Sequence, residues 1–155
     1  TYRAIVRGWP PESGVIDHPL RRMPDDMRFE REEVQDALTH YRTLERYELP
    51  LAQGAFASTR CALVELQPVT GRRHQLRRHM KHISHPIIGD ATHGKGALNR
   101  ALAGLLGLQR LWLHAARLEL RHPVTGAPLL IEAGLAPQWR LWAQAASRPG
   151  ADANP

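Results

Sequence analysis

The chain has 155 residues, of which 43% are hydrophobic and 23% charged, so it is long enough for one globular domain with its own core. Its 21 lysines and arginines exceed its 15 aspartates and glutamates and give a net charge of +6, which favours a polyanionic partner without naming one. The single cysteine, Cys61, excludes an internal disulfide and favours the cytoplasm. No apolar run is long enough to span a membrane, so we predict a protein without a membrane helix or a membrane partner.

The first segment predicts a strand. Residues 2–7 alternate with a period of two, with Tyr2, Ala4 and Val6 on one side, and the loop 9–14 ends the strand. From spacing alone, Tyr2 is a half-buried aromatic residue of this strand. Residues 21–36 carry ten charges in sixteen positions without a clean amphipathic period, which predicts a mobile insertion.

Two further strands precede the centre of the chain. The first runs from about Ala37 to Leu49 with alternating side chains, and a turn-rich link of residues 50–58 follows it. The second runs from Thr59 to Leu66, with the odd-numbered residues on one face and the even-numbered residues on the other.

The most distinctive stretch follows this strand. No acidic residue lies between Glu65 and Asp90, and residues 68–90 hold five cations and four histidines. Gly71 indicates a turn, and Leu76, Met80 and Ile83 then recur at helical spacing. Charge alone leaves three interpretations open: a solvated basic helix face, a surface for nucleic acid, and a site for smaller anions.

The C-terminal part predicts a helix, a hairpin and a short final helix. Asn99 is expected to cap a helix that turns Leu102, Leu105 and Leu106 inward. Residues 111–121 and 129–132 are expected to pair as an antiparallel hairpin, residues 137–146 to form the last helix, and residues 148–155 to be a disordered tail. Antiparallel strands with a few helices predict an α+β domain.

Metal and hydrolase sites are poorly supported. His79, His82 and His85 are spaced three apart, but Pro86 ends the helix beside them and the neighbouring cations would repel a metal ion. The chain has neither the Gly-x-Ser-x-Gly motif of hydrolases nor a phosphate-binding loop. We therefore predict no metal and no cofactor. Asp90 is expected to cap the turn after Gly89 rather than to catalyse.

The order of residues in the basic stretch points to a family. The sequence GRRHQLR of residues 71–77, followed by HPIIGD of residues 85–90, resembles the third motif of the RNA pseudouridine synthases, which modify transfer and ribosomal RNA. Residues 2–8 resemble the second motif, and residues 113–115 with 122–126 resemble the closing hairpin. The amino-acid sequence of the first segment most resembles a branch of the family that modifies transfer RNA.

The resemblance implies the pseudouridine synthase fold, a mixed, largely antiparallel sheet with flanking helices. In that family the nucleophilic aspartate belongs to a His-Arg-Leu-Asp motif that precedes the second motif. The aspartates of this chain have no such context; they are Asp17, Asp25, Asp26, Asp36, Asp90 and Asp152. Residues 1–147 are therefore expected to be the C-terminal part of a catalytic domain, inactive alone. The implied substrate is tRNA. Ribosomal RNA, or a non-catalytic RNA-binding module, is the alternative, and a monomer is expected.

The resemblance also implies residue roles. Tyr2 matches the tyrosine that lies against the target base, and Arg77 matches the arginine that pairs with the catalytic aspartate. Phosphate binding is expected from four cations, namely Arg72, Arg73, Arg78 and Lys81. For His74 and Gln75 two roles stay open, contact with RNA and support of the loop.

Overall fold

The structure is a computed structural model that describes residues 1–23 and 33–146. Nine strands are present in this part of the chain: β1 (Tyr2–Arg7), β2 (Ser13–Asp17), β3 (Leu20–Arg21), β4 (Val34–Gln35), β5 (Leu38–Leu49), β6 (Thr59–Pro68), β7 (Leu113–Ala115), β8 (Arg117–Arg121) and β9 (Pro128–Glu132). The helices are α1 (Gln75–His82), α2 (Gly96–Leu106), a 3₁₀ turn (Pro137–Arg140) and α3 (Leu141–Ala145). Most of the predicted insertion and the predicted tail lie outside the described residues. No helix among the described residues has the length and apolarity to cross a membrane.

The centre of the fold is a five-stranded sheet in the order β2-β5-β6-β1-β7. Every pairing in it is antiparallel, and β1 lies between β6 and β7. The predicted strands at residues 2–7, 37–49 and 59–66 are confirmed, and so is the α+β class. The strand β2 was not predicted; it begins within the predicted loop of residues 9–14.

The sheet separates two apolar clusters. Even-numbered residues of β6, including Val64 and Leu66, pack against Leu76 and Met80 of α1, while the odd-numbered Cys61 and Leu63 pack on the other side with α2 and α3. A bulge between Thr43 and Glu45 shifts the register of β5 by one residue. Because side chains alternate along a strand, the bulge sends β5 side chains of the same parity to opposite faces on its two sides.

The C-terminal elements differ from the sequence prediction in three details. The helix α2 begins at Gly96 after Lys95, so Asn99 lies inside the helix and does not cap it. Leu102 is buried as predicted, but Leu105 is 39% exposed. The predicted strand 111–121 is divided, since β7 joins the central sheet and β8 pairs only with β9.

Candidate functional site

The loop between β6 and α1 is held in place by the amide of Gln75. Its Oε1 accepts hydrogen bonds from Thr70 Oγ1 (2.7 Å) and the Arg72 backbone N–H (2.9 Å). Its Nε2 donates to the Leu38 carbonyl and to Thr39 Oγ1, both at 3.0 Å. Gln75 is 4% exposed, and its amide makes all four of the hydrogen bonds available to it. Of the two roles left open for Gln75, these bonds favour support of the loop over contact with RNA.

A buried histidine continues this network beneath the helix. His79 is fully buried, and its Nε2 donates to the His18 carbonyl at 2.8 Å. A neutral ring with hydrogen on Nε2 accepts at Nδ1, which lies 2.8 Å from Thr39 Oγ1. Burial lowers the pKa of His79, and this effect outweighs the bond to His18. The network fixes α1 to β5 and to the segment after β2.

A pocket of about 290 Å³ opens above this network, at the start of α1. Tyr2 reaches it from β1, because Tyr2 lies opposite Leu66 on the α1 side of the sheet. Arg72, His74 and Arg77 line it from the loop and the helix. The two residues expected to act in catalysis, Tyr2 and Arg77, therefore share one pocket although 75 positions separate them in the chain.

The Arg77 guanidinium is held by a carboxylate of this chain. Its Nε donates to Asp90 Oδ2 at 2.8 Å, and its Nη2 donates to Asp90 Oδ1 at 2.7 Å. The Asp90 side chain has no exposed surface, and that of Arg77 retains 18%. A parallel pair of this kind fixes the plane of a guanidinium as well as its position. The hydrogen bonds to Asp90 raise the pKa of Arg77 further.

Asp90 also closes the turn that follows it. Its Oδ1 accepts the backbone N–H groups of Thr92 (3.0 Å) and His93 (2.9 Å), as the sequence analysis expected. Burial alone would raise the pKa of this carboxyl, but the bonds from Arg77, His93 and Thr92 lower it to about 2. An ionised carboxylate with both oxygens occupied and no exposed surface is a structural anchor, not an available nucleophile.

The other predicted cations are distributed differently. Arg72 lines the pocket, and its Nε donates to the Asp36 carbonyl at 2.9 Å. The Arg78 guanidinium donates to the backbone carbonyls of Arg21 and Arg73. These bonds tie α1 to β3 and to the loop, and the phosphate-binding role of Arg78 stays a prediction. Arg73 and Lys81 are exposed.

His74 has a partner that the sequence analysis did not find. It adopts a left-handed conformation with φ of 51° just before α1, and its Nδ1 lies 3.1 Å from Nε2 of His93. The rings meet edge to face with their centroids 5.3 Å apart. No periodicity marked His93, which lies in a glycine-spaced loop; only the fold places it here.

A second groove of about 650 Å³ adjoins the pocket on the side of the β8–β9 hairpin. Tyr2 and Pro68 line both depressions. The hairpin is exposed on both faces, with Leu118 at 56% and Leu130 and Ile131 at 49%. The pocket at Tyr2 is therefore the end of a longer depression rather than an isolated cavity.

Tyr2 of β1 and the fixed Arg77 of α1 thus line one pocket, and comparison with known proteins identifies the family to which the chain belongs. The model of the family described as RNA pseudouridylate synthase matches residues 1–82, which include β1, the basic loop and α1. The chain belongs to the RNA pseudouridylate synthase family.

Individual proteins of the family are also similar to this chain. The tRNA pseudouridine synthase C of Vibrio cholerae is 51% identical over 144 residues, which cover 90% of this chain and 59% of that protein. The protein of the same name from Salmonella typhimurium is 50% identical over 142 residues, covering 89% of this chain and 55% of that protein. A solved structure, Human RNA Pseudouridylate Synthase Domain Containing 1, matches with a TM-score of 0.60 and 25% identity over 86% of this chain and 53% of its own. The chain thus spans little more than half the length of these relatives.

Proposed function

We propose that this chain is part of an enzyme that isomerises a uridine of tRNA to pseudouridine. The observation that carries the proposal is the pocket that Tyr2 and the fixed Arg77 guanidinium both line. The reaction breaks the bond from ribose to N1 of uracil, turns the base and joins C5 to the ribose. It needs a carboxylate but no cofactor. The names of the two bacterial relatives favour tRNA as the substrate.

The role of Tyr2 is to receive the target base. A uridine must leave its stack to reach the reacting groups, at a cost of a few kcal/mol. Stacking on an aromatic ring returns roughly 1–3 kcal/mol per base. Tyr2 stands at the junction of the pocket and the groove beside the hairpin, which is where a base displaced from a strand in the groove would enter the pocket.

The role of Arg77 follows from the bonds it makes. Asp90 takes the Nε–H and one N–H of Nη2, so Nη1 and the second hydrogen of Nη2 remain for a second anionic group. We assign that group to the nucleophilic carboxylate, supplied by a part of the enzyme outside this chain. A fixed guanidinium keeps a carboxylate ionised and aimed, without reorganisation during the reaction.

The remaining cations hold the RNA backbone. Arg72 lines the pocket, and Arg73 and Lys81 are exposed on the same basic segment; phosphate is an anion that arginine binds well. His74 lines the same pocket and contributes a ring nitrogen. We place the enzyme in the cytoplasm and expect it to act as a monomer without a metal ion.

The test is tritium release from tRNA labelled at C5 of uridine, measured with the longer protein that carries this chain. Release from tRNA and none from ribosomal RNA is the expected result. Release only from ribosomal RNA would identify ribosomal RNA as the substrate instead of tRNA. Tight RNA binding without release would identify a non-catalytic RNA-binding module. The 155-residue chain alone is expected to release no tritium above buffer, and turnover by it would refute an outside nucleophile.

A further inference from the structure

His93 is not in the pocket wall, yet it contacts a residue that is. His74 lines the pocket with Tyr2 and Arg77, and the one ring nitrogen of His74 with a partner in the described part of the chain is Nδ1, which faces His93 Nε2 at 3.1 Å. The nitrogen that remains for a ligand is Nε2 of His74. In a neutral His74, the hydrogen bond that His93 makes to Nδ1 therefore decides whether Nε2 carries a hydrogen or a lone pair.

The position of His93 is fixed independently of His74. Asp90, which holds Arg77, also binds the His93 backbone N–H. The turn is closed by a bond from the Gly94 N–H to the Asp90 carbonyl at 3.1 Å. A Cβ on Gly94 would lie 2.4 Å from that carbonyl oxygen, so this turn requires glycine there. One carboxylate thus sets both Arg77 and the partner of His74.

Both imidazoles are neutral at physiological pH. Burial lowers the pKa of His74, and the charges of Arg77, Arg73 and Arg78 lower it further, against an opposing effect of Asp90. Burial also lowers the pKa of His93, where Asp90 opposes and Arg77, His74 and Lys81 add to the decrease. Two neutral rings joined by one hydrogen bond must hold complementary tautomers, because one nitrogen donates and the other accepts.

The two arrangements suit different groups of an RNA, and the charge of the pocket favours a hydrogen-bond acceptor, because Arg72 and Arg77 line it together with His74. If His74 Nδ1 donates, its Nε2 carries a lone pair, which repels a phosphate or carbonyl oxygen. If His93 Nε2 donates, the hydrogen of His74 lies on Nε2 and becomes a donor. We propose that His93 is a positioning residue that donates from Nε2 to His74 Nδ1, so that His74 Nε2–H binds an oxygen of the RNA. The identity of this ligand rests on the proposed function.

The tautomers can be read directly by long-range ¹H–¹⁵N NMR of the 155-residue chain. We expect His74 to be neutral with hydrogen on Nε2 in the wild type and in His93→Gln, whose amide reaches a similar position and can donate. In His93→Leu, His74 should become a mixture of tautomers. His40→Leu, at an exposed residue of β5, is the matched control and should leave His74 unchanged. Hydrogen on Nδ1 of His74 in the wild type would overturn the proposal.

Binding of uridine 5′-monophosphate supplies the second readout. His93→Leu should weaken it roughly two- to tenfold, the size of one neutral hydrogen bond, and His93→Gln should restore it. Equal losses in both variants would reduce His93 to a packing role and refute the proposal, as would no change in His93→Leu or no binding by the wild type. In each variant, an unchanged NMR signal of the Arg77 Nε–H, which is bonded to Asp90, verifies that the turn after Asp90 is intact. If the tautomer pattern and binding hold but the longer protein forms no pseudouridine, the proposed function fails and the role of His93 stands.

Discussion

Arg77 and Asp90 form a two-bonded ion pair across 13 positions of the chain, with N···O distances of 2.8 and 2.7 Å. The pair joins the basic helix to the turn that carries His93, and it faces the pocket with its guanidinium only. The position of the positive charge of Arg77 in the pocket is therefore fixed by Asp90, a carboxylate without exposed surface.

Asp90→Asn should destabilise the chain by about 3 kcal/mol, near the lower end for breaking a buried pair because Arg77 is partly exposed. Glu119→Gln is the control, since it breaks an exposed pair with Arg117 that contributes at most about 1 kcal/mol. Urea denaturation followed by circular dichroism measures both. Equal losses would mean that the Asp90 pair is no stronger than a surface contact.

The buried His79 should make stability depend on pH. Its pKa is lowered in the folded chain relative to its ordinary value of 6.5, so the unfolded chain binds a proton first as pH falls. The contribution of neutral His79 to the free energy of unfolding is fully present above pH 6.5. It decreases as the pH falls from 6.5 to the pKa of His79 in the folded chain, by at most about 1.4 kcal/mol per pH unit. His79→Gln should lose this contribution, so its unfolding free energy should vary less between pH 7 and pH 5. A variant with an unchanged slope would assign the dependence to other histidines.

Tyr2 should contribute to uridine binding through its ring rather than its hydroxyl. Tyr2→Phe should leave the affinity for uridine 5′-monophosphate nearly unchanged, and Tyr2→Leu should lose roughly 1–3 kcal/mol of binding free energy. Phe56→Leu removes an aromatic ring that is 73% exposed outside the pocket lining and serves as control. Calorimetric titration distinguishes the three. A loss in Tyr2→Phe as large as in Tyr2→Leu would give the hydroxyl the main role.

Local patterns predicted the elements of this site well, and tertiary contacts account for what they missed. The strands and α1 follow from periodicity because side chains on one face of an element share one environment. The Arg77–Asp90 pair and the His74–His93 contact join separate elements, so no spacing reveals them. The bonds from Arg78 to backbone carbonyls of separate elements also could not be read from its position in the basic stretch. The bulge in β5 likewise depends on its pairing with β6 and breaks a pattern that otherwise predicts one face.

Binding of tRNA by the 155-residue chain should be electrostatic. The chain carries a net charge of +6, and each phosphate contact adds about −0.7 to −0.9 to the slope of log affinity against log salt. Three contacts, from Arg72, Arg73 and Lys81, predict a slope of about −2 or steeper. Filter binding between low and physiological salt measures it. A slope near zero would remove the basic loop and helix from the RNA surface.

Arg77 and Lys81 lie one helical turn apart on α1 but should fail in different steps when changed. Arg77→Lys keeps the charge and loses the two-bonded fork, so in the longer protein it should bind tRNA nearly as the wild type does while the single-turnover rate at saturating enzyme falls about a hundredfold or more. Lys81→Gln lies on the exposed surface and should weaken binding and reduce the salt slope by about one contact, with the saturated rate close to normal. The pair of variants separates aiming of the nucleophile from attraction of the RNA, because both effects are measured in one protein under one set of conditions. If the saturated rate fell equally in both, or fell only in Lys81→Gln, Arg77 would have no place in the chemistry of the pocket.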